Sequence, residues 1–175
     1  LGFINQKNKG FYIGDVYELE LDKAIPSLQL YGNYRFGKNS RIYINYNLEE
    51  RFASAAQLLP IENLSNPLNT ITGNPDLKTS KGHSLYIGFN NFHFESRTGF
   101  SVHMGGRYDE RTIVNYKTTD ADFKSNTTYV NMDGNYNVWG GFNISKTFKS
   151  GKSKFRTGLG LNTNNSFRQG FTNGV

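Results

Sequence analysis

Six stretches of the chain alternate apolar and polar side chains with a period of two. Such a pattern suits β-strands that keep one face greasy and the other wet, and it suits no helix. In Leu28 to Phe36, the residues Leu28, Leu30, Gly32, Tyr34 and Phe36 oppose Gln29, Tyr31, Asn33 and Arg35. After the turn Gly37-Lys38-Asn39-Ser40, which has hairpin chemistry, Ile42, Ile44, Tyr46 and Leu48 oppose Arg41, Tyr43, Asn45 and Asn47. A third run sets Leu85, Ile87 and Phe89 against Ser84, Tyr86, Gly88 and Asn90, and a fourth sets Phe100, Val102, Met104, Gly106 and Tyr108 against Ser101, His103, Gly105 and Arg107. The fifth places Tyr136, Val138, Gly140, Phe142, Ile144 and Phe148 opposite Asn137, Trp139, Gly141, Asn143, Ser145 and Thr147. The sixth, after Lys149-Ser150-Gly151-Lys152, alternates Phe155, Leu159 and Leu161 with Arg156, Gly158, Gly160 and Asn162. Around Phe11 to Leu21 a weaker seventh run alternates Tyr17, Leu19 and Leu21 with Glu18 and Glu20.

A soluble β-sandwich alternates in the same way, so the period alone leaves protein core or lipid as the home of the apolar face. Four features favour lipid. The polar face is rich in Asn, Tyr and Phe recur near the strand ends, and each run extends to about ten residues, the length a tilted strand needs to cross hydrocarbon. Short turns (37 to 40, 93 to 97, 149 to 152) also alternate with long Asn/Thr/Asp-rich connections (53 to 77, 117 to 127), an asymmetry of outer-membrane barrels. The expected fold is therefore all-β: an antiparallel up-and-down transmembrane β-barrel, because closing the sheet satisfies every backbone hydrogen bond in lipid. Residues 1 to 175 are expected to be a partial barrel domain of about six to seven strands, a fragment without the plug and the remaining strands.

Composition is compatible with this. No run of about eighteen apolar residues offers a transmembrane helix, and low mean hydropathy is no objection where only every second residue faces lipid. The absence of cysteine suits passage through an oxidising periplasm. The net charge of +6 implies contact with anionic head groups or a basic steering surface.

Between the second and third runs lies Asn66-Pro67-Leu68-Asn69-Thr70-Ile71-Thr72-Gly73-Asn74-Pro75-Asp76-Leu77-Lys78. Its prolines stiffen the loop, Gly73-Asn74 permits a tight turn, and the residues suggest a loop-to-strand staple. Gly73-Asn74-Pro75-Asp76-Leu77-Lys78 resembles the Gly-Asn-Pro-x-Leu-Lys signature in the barrel of TonB-dependent outer-membrane receptors. The similarity is greatest to the outer-membrane barrel family common in Bacteroidetes. Glu50-Arg51-Phe52 and Gln57-Leu58-Leu59-Pro60 sit where that family carries a strand end followed by a leucine-proline loop. The resemblance implies a bacterial outer-membrane location, a parent barrel of about 22 strands with a plug domain and a TonB complex as partners, and import of a scarce or large nutrient.

On that reading Gln29, Tyr31, Asn33, Arg35, Tyr43, Asn45, Tyr86, Asn90, His103, Arg107, Trp139 and Asn143 line the lumen or the ligand path. Other partners are outer-membrane lipid and a small-molecule or oligomeric nutrient. The alternatives are a structural or adhesive barrel without transport, and a soluble β-sandwich binding module. No cofactor or metal is expected: His83, His93 and His103 do not converge on the strand assignment, whereas zinc needs ligands within about 2.3 Å. Asp120 and Asp122 lack the further oxygen ligands of a calcium loop. No nucleophile elbow, phosphate loop or zinc-protease motif is present, so no enzymatic activity is expected. The aromatics share faces with Leu and Ile, which argues against nucleic acid as a partner.

Overall fold

A computed structural model describes residues 2–12, 15–63 and 66–173. The described strands, in chain order, are β1 (Gly2–Tyr12), β2 (Asp15–Ile25), β3 (Leu28–Phe36), β4 (Ser40–Arg51), β5 (Glu62–Asn63), β6 (Asn69–Thr72), β7 (Ser80–His93), β8 (Thr98–Thr119), β9 (Ser125–Met132), β10 (Asn135–Ser150), β11 (Ser153–Phe167) and β12 (Phe171–Thr172), with a one-turn helix α1 (Ala55–Leu58) after β4. The six patterned runs fall inside β3, β4, β7, β8, β10 and β11. These pair antiparallel in that order into one wall. The weaker run around Phe11 to Leu21 spans a β1–β2 hairpin whose tip, 13–14, lies outside the described residues. Strands β3 and β11 each bond to a single neighbour, so among the described residues the sheet is open.

Register keeps the two faces separate across all six strands. One row joins Gly32, Ile44, Ile87, Met104, Gly140 and Thr163, and the next joins Tyr34, Ile42, Phe89, Val102, Phe142 and Leu161. The five rows from the level of Phe36 to that of Leu28 span eight residue steps, about 26 Å of strand at about 3.3 Å per residue. Rings mark both ends of this apolar face. At the short-turn end, Tyr34–Phe36, Phe36–Phe89, Phe89–Phe100 and Phe100–Phe142 follow one another at centroid distances of 6.0, 5.8, 5.9 and 5.3 Å. Tyr46–His83 at 6.2 Å and Tyr136–Phe167 at 5.6 Å lie toward the other end, with Tyr108 between them in register. The short turns 37–39, 94–97 and 151–152 all fall at one end, and Gly37 and Gly151 take the positive φ their turns require.

At the other end the connections build a module with its own core. The connection expected at 117 to 127 is mostly strand: beyond Arg111, where β7 stops pairing, β8 continues to Thr119 against β9, and only 120–124 forms the tip. Its Thr, Asn and Lys residues carry no apolar stripe, so hydrophobic period does not reveal it, although Thr112, Ile113, Val114 and Thr118 favour extended backbone. β9 pairs in parallel with β6, and β6 pairs with β5. Gln57-Leu58-Leu59-Pro60, expected as a loop, begins in α1. Ser54 opens it with a capping box, its backbone N–H donating to Gln57 Oε1 at 2.9 Å. Leu58 and Leu59 then enter a core with Ala53 and Met132, and Leu58 is only 1% exposed. Apart from Ile25, every buried apolar side chain among the described residues lies in this module, whereas the wall itself leaves Leu30, Met104 and Leu161 more than half exposed.

Candidate functional site: the polar face of the wall

The staple expected at 66 to 78 is a clamp on β9. The Asn74 backbone N–H donates to the Gln57 carbonyl at 2.6 Å and its side-chain amide to the Tyr129 carbonyl at 2.8 Å. Lys78 is held from both sides by Asn131, whose Oδ1 accepts from the Lys78 N–H at 2.7 Å and whose Nδ2 donates to the Lys78 carbonyl at 3.0 Å. Behind it, Thr79 is 4% exposed and donates through Oγ1 to Glu50, while Arg111 donates to the Thr79 carbonyl and hydroxyl. The end of the loop is thereby tied to the end of β4 and to β8.

All twelve residues expected along a lumen occur on the face opposite the apolar rows. Register aligns Tyr31, Asn45, Tyr86 and Trp139 around Gly105, and Asn33 with Tyr43, Gly88 and His103. Some of them meet. The Tyr43 and Tyr86 rings lie 5.6 Å apart with hydroxyls at 3.4 Å, and the Tyr86 ring lies 6.3 Å from that of His103, giving an aromatic ribbon across three strands. The rings are seated on glycines: a Cβ would stand 2.2 Å from the Tyr43 ring at Gly88, 2.6 Å from the Trp139 indole at Gly105 and 2.5 Å from His103 at Gly141. These glycines lie where another group approaches the backbone closely, as their place inside strands suggests. Asn33 donates to the Tyr31 hydroxyl at 3.1 Å.

Arg107 stands apart from the ribbon, at the long-loop end. Its Nε donates to Asp109 at 2.8 Å, and its Nη1 lies 3.7 Å from Glu49, which also pairs with Arg51 at 2.8 Å. A polar depression of about 440 Å³ beside it is lined in part by Arg107, Trp139, Arg168 and Asn137, whose buried Oδ1 has no hydrogen-bond partner among the described residues. Gln29 lies opposite Asn47 near the same end. Arg35, Asn90 and Asn143 lie at the short-turn end and touch none of the ribbon rings in register. Glu49 and Asp109, which the period of two places on this face, and Arg41, which the alternation already set there, were not among the residues expected along the path.

The histidines sit in separate environments. His83 is on the apolar side, where Nδ1 meets the Tyr46 hydroxyl at 2.8 Å and Nε2 meets Glu110 at 3.3 Å, while Lys81 pairs with the same carboxylate at 2.6 Å. His93 ends β7 and lies 3.2 Å from the Ser96 hydroxyl, and His103 belongs to the ribbon on the opposite side of the sheet. Among the described residues no cluster of three or more His, Cys, Asp or Glu could hold a metal ion. Asp120 closes its own turn instead, its Oδ1 accepting from the N–H groups of Asp122 and Lys124, both at 2.9 Å.

The sequence pattern described as the outer membrane protein beta-barrel family matches residues 19–174. The chain belongs to the outer membrane protein beta-barrel family. Its place is accordingly the outer membrane, and the family is one of membrane barrels rather than of catalysts. For a family member the apolar rows have a definite environment in lipid, and their ring-bearing ends match the aromatic girdles of such barrels. Lys146, the one cation on the apolar rows of β10, follows the same logic at the short-turn end, with its ammonium 5.4 Å from the centroid of Phe148. No curated protein and no solved structure matches the chain.

Proposed function

We propose that this chain is part of the wall of a TonB-dependent-receptor-like barrel that binds and imports a scarce or large nutrient, with its polar face turned to the lumen. The observation that carries the reading is the division of the sheet: Leu30, Ile44, Ile87, Met104, Phe142 and Leu161, one from each of the six strands, leave on one side, and the aromatic ribbon Tyr43–Tyr86–His103 lies wholly on the other, with Asn33, Asn45 and Asn90. The Gly-Asn-Pro-Asp-Leu-Lys turn, clamped to β9 at the long-loop end, supports the TonB-dependent assignment through its resemblance to that signature. Capture would occur at the long-loop module, followed by plug rearrangement that opens a path past Tyr31, Tyr86 and Trp139.

The test is energised uptake in cells carrying the full-length gene, with and without TonB, using ferric siderophore, cobalamin, peptide and oligosaccharide in turn. The chain has no native cysteine, so a thiol placed at Asn45 or Asn143 can carry a bulky water-soluble adduct. Uptake of one nutrient class that needs TonB and falls when the lumen is so blocked supports transport. Uptake of every class that ignores deletion of the gene refutes it. One observation favours a second reading, an adhesive or structural barrel: the long-loop module owns the buried core around Leu58 and would present a rigid external surface without any transport.

A further inference from the structure

Charge is segregated along the wall, where Glu49 and Asp109 leave on the polar face and Glu50 and Glu110 on the apolar side. Every carboxylate on the six wall strands, namely Glu49, Glu50, Asp109 and Glu110, lies at the long-loop end with a cation beside it: Arg51 at 2.8 Å, Arg111 at 3.9 Å, Arg107 at 2.8 Å and Lys81 at 2.6 Å. The short-turn end of the polar face is the reverse. Arg35 and Arg41 stand directly opposite each other on β3 and β4, Arg156 faces Thr147, and Lys149 faces Lys154. None of these five cations pairs with a carboxylate among the described side chains. Glu95, in the nearby turn 94–97, is exposed and takes none of them. Like charges placed directly across a ladder are destabilising unless something of opposite sign lies between them.

The cations flank a groove. From Arg35 and Arg41 the row continues in register through Asn90, Ser101 and Asn143 to Gly160. Two adjoining depressions of about 320 and 520 Å³ share Asn90 and Phe92, the first reaching Arg35 and Arg41 and the second reaching Arg156. Arg156 extends back toward this row, donating to the hydroxyl of Ser145 in the adjoining row at 3.1 Å. Five strand spacings of about 4.8 Å give the groove a length of about 24 Å, that of about seven extended residues. A small anion would reach only one end. We propose that this groove docks an extended acidic polypeptide segment, with carboxylates at Arg35/Arg41 and at Arg156, and its backbone amides on Asn90, Ser101 and Asn143. This rests on the reading of the polar face as the inside of a barrel and adds the chemistry of what occupies it.

The test is site-specific photo-crosslinking in the full-length protein in its own membrane, with p-benzoylphenylalanine in place of Ser101 and the linked peptide identified by mass spectrometry. The expected product is an acidic polypeptide segment. Its yield should fall about tenfold, the effect of roughly three exposed ion pairs, in R35E/R41E/R156E and persist when the same three residues become lysine. Heat-modifiable gel mobility reports whether each variant is folded, and R35Q/R41Q replaces the triple reversal if that variant fails to fold. A link to a segment without excess acid, a yield indifferent to charge reversal, or no adduct at all overturns the proposal while leaving the barrel reading intact. A link to lipid overturns both.

Discussion

Gly73 to Ala is the sharpest test of the clamp that joins the long connection to the sheet. A Cβ there would stand 2.1 Å from the Leu59 carbonyl oxygen and 2.8 Å from the carbonyl carbon. That is more than about 1 Å inside ordinary contact, and the obstacle is backbone, which cannot rotate aside. Relief requires residues 73–74 to part from 57–59, which breaks the 2.6 Å bond from the Asn74 N–H to the Gln57 carbonyl and loosens the Asn74 side chain from Tyr129. Overpacking of this kind costs about 1–3 kcal/mol and the lost hydrogen bond about 1 kcal/mol, so local destabilisation of about 2–4 kcal/mol is expected. Hydrogen exchange on the full-length protein in detergent reads this directly. At about 1.4 kcal/mol per factor of ten, the amides of Asn74 and Lys78 should exchange about 30- to 1,000-fold faster. Wall amides such as those of Ile44 and Val102 should be unchanged. Exchange at Asn74 and Lys78 within about threefold of the parent would refute the clamp as the element that orders this loop.

Leu58 to Ala should loosen the same module by about 2–5 kcal/mol, because Leu58 is almost fully buried, and limited proteolysis should then cut within 53–79 while the wall stays protected. Met104 to Lys, in the middle row of the apolar face, should cost about 2–4 kcal/mol in chemical unfolding from lipid, against little for Asn45 to Lys on the opposite face; equal costs would mean that the faces are wrongly assigned. Gly105 to Leu should displace the Trp139 indole, seen as a shift of its fluorescence, since a Cβ alone would lie 2.6 Å from the ring. Leu30, Met104 and Leu161 expose apolar surface on an open sheet, so the isolated chain should aggregate in water and become monodisperse only in detergent, which size-exclusion chromatography with light scattering checks.

How far the sequence alone reaches is clearest when wall and module are compared. In the wall, a side chain's environment depends only on which side of its own strand it leaves, so the period of two fixed Leu28 to Phe36 and its five companions as strands and put all twelve candidate residues on one face. The turn residues Gly37 and Gly151 marked the hairpins for the same local reason. What depended on distant partners stayed hidden. β9 and the outer half of β8 carry no apolar stripe and exist because Thr112–Met132 and its following pairs bond across the ribbon, while β6 is a strand only because β9 lies beside it. Leu58 and Leu59 read as loop, yet they fill a core that forms only once residues far along the chain, Met132 among them, fold over the same end of the sheet. The aromatic ribbon and the facing cations of the short-turn end likewise follow from register, because only pairing places Tyr43 against Tyr86 and Arg35 against Arg41. Alternation along one strand is a local property that sequence displays; a contact between strands is a sum over residues far apart, and only the folded sheet brings those residues together.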